Sequence, residues 1–333
     1  SLTGPSHRPC PPSRSPIHYH VSMRWERERF TVIARARETA RRWAMWESGE
    51  RVVVAVSGGA DSLVLLDVMA QLAPEDGLEL RVLVVDHGVR PESGEEAEFV
   101  AVVSAHYGLE CGIRKVDVEA HARDGRLSPE EALREARYAA FRAELEESGA
   151  TRLATGHTAD DRVETLLLRL LTGSGPRGLG AIPPVRPPFV RPLIQVWRRE
   201  VEEYARFLPF PPRQDPTNLD LSIPRNRVRR RLLPLLEEEF NPAVKRVLLG
   251  EAEMFASLGE VLELLVREVE AEDLSRAARG EELDVAGLRS RPTALRREAI
   301  ARALRRLGLE PGFGLVEDVR RKLLEGDAPA RLD

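Results

Sequence analysis

Apolar positions in this chain fall into short compact runs separated by longer stretches of helical periodicity. The clearest run, Val52-Val53-Val54-Ala55-Val56, is β-branched and uninterrupted by polar residues, the pattern of a strand covered on both faces. Strand-like runs recur at 51–56, 80–86, 111–118 and 152–156, with helical patterns between them. The helix expected at 93–107 opens with Ser93 and Glu96 in capping-box spacing. The next opens with Ser128, Pro129 and Glu131, again in that spacing and with proline at the first helical position. Strands alternating with helices predict an α/β fold with a doubly wound parallel sheet. Ligands of such sheets gather at the carboxyl ends of the strands. Three polar turns, Ser57 to Ser62, Asp86-His87-Gly88 and Thr155-Gly156-His157, are therefore expected on one rim.

Beyond this region the punctuation changes. Pro183, Pro184, Pro187 and Pro188 precede a short strand-like piece from Phe189 to Leu193 and a helix from Trp197 to Leu208, which Pro209, Pro211 and Pro212 end. After Pro224 the pattern is helical almost throughout, with a glycine-containing break near 308–314. This predicts a long connecting helix followed by a small all-helical C-terminal domain. Residues 1–22 carry five prolines and no periodicity, so a disordered extension is expected there, and Met23 heads the first helical pattern as the expected true start. No apolar h-region marks a signal peptide. The expected organisation is an extension at 1–22, a catalytic domain at 23–225, and a linker helix with a helical domain at 226–333.

The turn after the first strand carries chemistry. Ser57-Gly58-Gly59-Ala60-Asp61-Ser62 leads directly into the apolar-periodic run from Leu63 to Leu72. Two glycines allow a ligand to approach the backbone closely, and the N–H groups of a helix start attract an anion. This is a phosphate or pyrophosphate cradle without the lysine of a Walker loop and without the spacing of a dinucleotide fingerprint. Asp61 stands at the helix start instead. A carboxylate beside phosphates is repulsive unless a cation lies between them, so Asp61 predicts Mg²⁺.

A second constellation follows the fourth strand. His157, Asp160, Asp161 and Glu164 lie at offsets 0, 3, 4 and 7, which is one helical face. That face suits binding Mg²⁺, holding an amine, or acting as a base. Helix-dipole stabilisation accounts for Asp160 and Asp161 alone, but not for His157. Gly173-Ser174-Gly175-Pro176-Arg177-Gly178-Leu179 is expected to be a glycine-rich lid or RNA-contacting loop. Arg225, Arg227, Arg229, Arg230 and Arg231 are crowded together with no acid among them, which suits either a solvated helix face or a phosphate-backbone contact.

Composition narrows the class. A hydrophobic content of 42% is ample for a core, and no apolar run reaches membrane-spanning length. A net charge of −4 from 50 basic and 54 acidic residues makes the arginine cluster a local feature rather than a global one. Two cysteines, Cys10 and Cys111, supply neither a disulfide framework nor a four-thiolate metal site. A cytoplasmic protein is expected, with no membrane partner.

In this context the Ser57–Ser62 motif resembles the PP-loop, or N-type, ATP pyrophosphatases, whose fold is the adenine nucleotide alpha-hydrolase-like sheet. Within them the chain is similar to the bacterial tRNA(Ile)-lysidine synthetases. The matching pieces include Asp86-His87-Gly88, Glu131, Ala132, Arg134, Arg137, Tyr138 and Phe141, and the segment from Gly156 to Thr165. They continue through Gly173-Ser174-Gly175-Pro176, Gly178-Leu179, Arg191-Pro192-Leu193, Asp215-Pro216-Thr217-Asn218, and Arg225-Asn226 with Arg229. The resemblance spans about 50–245. The family often has a second histidine where this chain has Asp86, so only His87 carries over, and Thr217 stands where serine is common. Many members carry a further C-terminal domain, so this chain resembles a short form or a truncated piece of a longer one.

The resemblance implies an AMP-forming ligase that makes a C–N bond. Its substrates would be ATP, L-lysine and the tRNA(Ile) with a CAU anticodon, whose wobble cytidine becomes lysidine. It implies Mg²⁺, held by Asp61, and the homodimer that family members often form. Ser57, Gly58, Gly59, Ala60, Asp61, Ser62 and His87 would bind ATP. Asp61, His157, Asp160, Asp161 and Arg137 would be catalytic, and Asp160, Asp161 and Glu164 would bind lysine. Arg177, Arg225, Asn226, Arg229 and Arg230 would contact tRNA or phosphate. A tRNA thiolase of the same superfamily would want clustered cysteines, which Cys10 and Cys111 are not. A silent nucleotide- and RNA-binding protein is the reading from another class, and intact Asp61, His157, Asp160 and Asp161 speak against it.

Overall fold

The computed structural model describes residues 16–86, 93–116, 129–213, 216–276 and 285–325. Its chain forms two compact units that interleave in sequence. One is Ser1–Ala159 with Pro184–Pro216, and the other is Asp160–Pro183 with Thr217–Asp333. The hydropathy pattern places one linear cut at 225/226 instead. A linear reading has no means of assigning the excursion from Asp160 to Pro183 to the second unit.

The first unit is built on β1 (Arg51–Ala55), β2 (Glu79–Asp86), β3 (Cys111–Lys115), β4 (Arg152–Ala154), β5 (Val185–Arg186) and β6 (Phe189–Val190). They form a sheet of order β3-β2-β1-β4-β6-β5. All neighbours are parallel except the β5–β6 pair, in which Val185 opposes Val190. The sheet is therefore mostly parallel, as the strand–helix alternation predicts, with one antiparallel edge hairpin that the sequence pattern did not suggest.

The unbroken apolar run of β1 has a direct explanation in packing. Val52 and Val54 point to one face, where they meet α1 (Pro16–Arg42), α2 (Ala60–Asp76), α3 (Ser93–His106) and α7 (Arg198–Ala205) through Ala36, Leu65, Met69, Val100 and Val201. Val53 points to the other face, with Leu83, Leu153, Phe189 and the Phe141 and Leu145 side chains of α4 (Pro129–Ser148). Both faces are covered, so neither alternate position is polar. Helix α2 is apolar nearly all round for the same reason, burying Leu63, Val64, Leu65, Leu66, Val68, Met69 and Leu72. It ends at Gly77, which adopts the left-handed conformation at φ 68°.

Helix α1 begins at Pro16 rather than near Met23. Proline at a helix start gives up no hydrogen bond, because the first N–H groups have no partner within the helix. The expected disorder of 1–15 lies outside the described residues.

The second unit is helical. Its long helix α10 (Val244–Arg276) packs against α6 (Pro176–Leu179), and beyond it lie α11 (Val285–Arg289), α12 (Thr293–Arg306) and α13 (Phe313–Glu325). The expected break near 308–314 separates the last two. The glycine-rich segment at 173–179 is not a free loop. Pro176 opens a short helix there, and the backbone lies so close to α10 that a Cβ on Gly180 would sit 2.9 Å from the Ala256 Cα. On α10 itself, a Cβ on Gly259 would sit 3.0 Å from the Arg177 Cα. Glycine serves helix–helix contact here rather than mobility. Among the described residues no helix is long and apolar enough to cross a membrane.

Candidate nucleotide and amine sites

Strand order places the first site. From β1 the chain winds outward through β2 to β3, then returns across α4 to β4 on the other side of β1. The order reverses between β1 and β4, and the crevice at the carboxyl ends of those two strands is where an open α/β sheet receives its ligand. The Ser57–Ser62 turn leaves β1 there, and Thr155-Gly156-His157 leaves β4. A Cβ on Gly156 would come within 2.9 Å of the Asp61 carbonyl oxygen, so the two exits are in backbone contact. Thr155 Oγ1 lies 2.9 Å from His157 Nδ1 and fixes the imidazole orientation.

Within the cradle, Gly58 has φ 82°, a conformation that favours glycine. Gly59 caps α2 in extended conformation, with no side chain to occupy the first-turn N–H groups. The Ser62 hydroxyl accepts the Ser57 N–H at 3.1 Å and donates to the Gly59 carbonyl at 2.9 Å, which closes the turn on itself. Ser57 Oγ lies 3.2 Å from Ser62 Oγ. Ala60 is the first residue of α2, and Asp61 lies in its first turn.

Two arginines that the sequence reading passed over belong to this cradle. Arg198, at the start of α7, sets Nη2 3.4 Å from Asp61 Oδ2. The Arg213 N–H donates to the Gly58 carbonyl at 2.9 Å, and its guanidinium stacks 5.0 Å from the centroid of Phe99. Neither follows a recognisable motif, so no signal in the sequence marks them. His87 and Asp215 lie outside the described residues. Asp86 is buried at the end of β2, the strand next to β1. Arg137 is half-buried on α4, beside Tyr138, whose ring packs 5.0 Å from that of Phe189.

The second unit holds the acidic face, on α5 (Ala159–Thr172). Asp160, Asp161 and Glu164 are all buried, Glu164 to 1% exposure. Arg225 donates from Nε to Glu164 Oε2 at 2.8 Å and from Nη2 to Asp161 Oδ1 at 3.0 Å. Arg229 donates to both Glu164 oxygens, at 2.6 and 2.9 Å. Lys245 Nζ lies 3.5 Å from Asp160 Oδ1 and 3.4 Å from Glu237 Oε2.

Arg225 lies on α8 (Pro224–Arg227), and Arg229 on the π-helical turn, Val228–Leu232, that continues it into α9 (Leu233–Glu239). Such turns are rare and cluster at functional sites. Asn226 is buried, and its amide donates to the Thr217 and Asp220 carbonyls at 2.9 and 2.8 Å. It therefore ties this helix to the preceding turn, where the sequence reading expected a phosphate contact. Arg230 is exposed, with Nε 3.1 Å from the Asn218 carbonyl, and Arg231 is exposed beside it. Arg177 is largely exposed, 3.3 Å from Glu263 on α10.

Comparison with known proteins identifies the family. Residues 31–236 match the family model described as the PP-loop domain. The tRNA(Ile)-lysidine synthase of Symbiobacterium thermophilum is 39% identical over 310 residues, 89% of this chain and 64% of that protein. The synthase of Solibacter usitatus is 44% identical over 63% of this chain and 46% of its own length. That of Thermobifida fusca is 37% identical over 80% of this chain and 78% of its own length. The chain thus spans about half to two thirds of the first two of these relatives. Among solved structures, a U34-tRNA thiolase from Methanococcus maripaludis shares the fold, with a TM-score of 0.59 at 18% identity, covering 70% of this chain and 80% of that one. With the family model matched over residues 31–236 and a relative 37% identical and covered over 78% of its length, the chain belongs to the PP-loop domain family and, within it, to the family of the tRNA(Ile)-lysidine synthases.

Proposed function

We propose that this chain uses ATP to join L-lysine to the 2-position of the wobble cytosine in the CAU-anticodon tRNA(Ile), forming lysidine. The observation that carries the reading is the cradle itself. It has glycine backbone and two serine hydroxyls at the strand-order reversal, and Asp61 where a Walker loop would have lysine. The names of the relatives supply the tRNA and the product.

The reaction has two steps. The exocyclic 2-oxygen of cytosine attacks the α-phosphorus of ATP, and pyrophosphate leaves. The lysine ε-amine then attacks ring carbon 2, one proton departs from the amine, and AMP leaves with the oxygen. In the first step, the backbone of Gly58 and Gly59 and the hydroxyl of Ser57 hold the departing pyrophosphate, while the Ser62 hydroxyl braces the turn through the Ser57 N–H and the Gly59 carbonyl. A single carboxylate beside phosphate oxygens is the usual donor set for Mg²⁺, and Asp61 in the first turn of α2 fits it. When bound, that ion would neutralise charge on the phosphates.

For the second step the amine must lose its proton, since a free ε-amine has a pKa of about 10.4. His157, oriented by Thr155, and Asp160 are our candidates to receive it. Asp161 and Glu164 are already engaged by two guanidinium groups. With Arg225 and Arg229 they form a patch of both charge signs, suited to the α-amino and α-carboxylate groups of a free amino acid. Arg137 and His87 are assigned to the nucleotide on the resemblance alone.

The test offers the protein ATP and tRNA(Ile) together with labelled lysine, ammonia or a sulfur donor. Lysine incorporation that requires ATP, and that is abolished with pyrophosphate exchange in Asp61→Ala, is expected. Incorporation of ammonia or sulfur instead would overturn the assignment.

A further inference from the structure

The cradle poses an electrostatic problem that the proposed reaction does not solve by itself. A triphosphate must settle beside the Asp61 carboxylate, and before any metal arrives that carboxylate repels it. The structure holds a permanent cation at this point. Arg198 Nη2 is 3.4 Å from Asp61 Oδ2, both side chains about a quarter exposed at 23% and 28%. A guanidinium does not deprotonate in proteins, so this cation is present at every working pH.

The backbone that carries Arg198 is fixed from several directions. The Trp197 N–H donates to Glu200 Oε2 at 2.9 Å, and the same carboxylate takes Arg35 Nη1 from α1 at 2.5 Å. The Val196 carbonyl accepts the Ala159 N–H at 2.9 Å, which ties the residues just before α7 to those just after His157. Further along both helices, Tyr204 of α7 donates its hydroxyl to Asp67 of α2. Helices α2 and α7 are thus cross-linked at two levels, Asp61 to Arg198 and Asp67 to Tyr204. The lower link is buried and structural. The upper one opens on the cradle.

We propose that Arg198 is a positioning residue of the nucleotide site. Its guanidinium holds the Asp61 carboxylate in place and screens it, so that the cradle accepts triphosphate with a reduced requirement for a divalent cation. The inference rests on the ATP reading above and deepens it. Arg198 takes over from within the protein part of the task that the missing Walker lysine performs elsewhere, and it does so through Asp61.

The test compares the dissociation constant of ATP in EDTA with that in Mg²⁺ by equilibrium dialysis. Arg198→Ala is expected to weaken metal-free binding about fivefold more than Mg²⁺-supported binding, the span of one partly exposed ion pair. Arg198→Lys should restore most of the difference, and Arg198→Gln provides a second neutral variant should the alanine protein fail to fold. In the Asp61→Asn background, Arg198→Ala should no longer change the ratio of the two constants. An unchanged ratio in both neutral variants overturns the proposal. So does an undiminished effect in the Asp61→Asn background, because Arg198 would then act directly on the phosphates. Wild-type protein that binds no ATP under either condition would remove the ATP reading itself, a result distinct from the other two.

Discussion

Glu164 shows how differently a residue reads alone and in its surroundings. Its place on the acidic face follows from the spacing of His157, Asp160, Asp161 and Glu164, and that face forms on α5 as expected. Its partners were not legible. Arg225 and Arg229 lie some sixty residues away in sequence, within a cluster whose composition suggests RNA, yet both are turned inward onto carboxylates. Removing Glu164 leaves Arg225 and Arg229 without their shared carboxylate, and because these side chains are 36% and 22% exposed the cost is about 1–3 kcal/mol, below that of a fully buried network. Glu164→Ala is therefore expected to lower the stability of the second unit by about that amount in urea unfolding. A variant of native stability would show that Arg225 and Arg229 relax to solvent without penalty. Asp61 offers the parallel case in the first unit, where the need for a counter-cation was legible from one carboxylate but Arg198 as a source of it was not.

At the scale of elements, the sequence predicted which segments become strands and helices better than it predicted what joins them. The capping-box helices begin at Ser93 and Pro129, and the apolar runs become β1 to β4. The cross-links between helices came only from packing. Asp67 is buried on α2 and receives hydrogen bonds from Tyr204 and, at 2.9 Å, from Tyr107, with Arg29 Nη2 3.3 Å away. Burial, reinforced by the Asp67 charge, pushes both phenols above their ordinary pKa of 10.0. The unfolded chain releases those protons near pH 10 while the folded chain retains them. This contribution is therefore complete below about pH 10 and declines as the pH rises beyond it. Tyr204→Phe should remove part of that alkaline loss, measured as the change in melting temperature between pH 8 and pH 11. An equal alkaline loss in the variant would mean that other groups control it.

At the scale of the whole molecule, the net charge of −4 rules out recognition of RNA by bulk electrostatics, so any contact must be local. Of the crowded arginines, Arg225 and Arg229 are committed to carboxylates, whereas Arg230 and Arg231 are exposed. Replacing Arg230 and Arg231 together with alanine should weaken tRNA binding and reduce the slope of log K against log salt by about 1.4 to 1.8, the range for two phosphate contacts on single-stranded to duplex nucleic acid. An unchanged slope would move the RNA contact elsewhere. By itself, the sequence determined the strand–helix alternation, the cradle, the acidic face and the kinship to the PP-loop family, because each of these is written in neighbouring residues. Tertiary structure alone decided that the segment from Asp160 to Pro183 joins the helical unit, that the glycine-rich stretch docks on α10, and which cations face which acids. Those outcomes depend on contacts between residues far apart in the chain, and local periodicity carries no record of them.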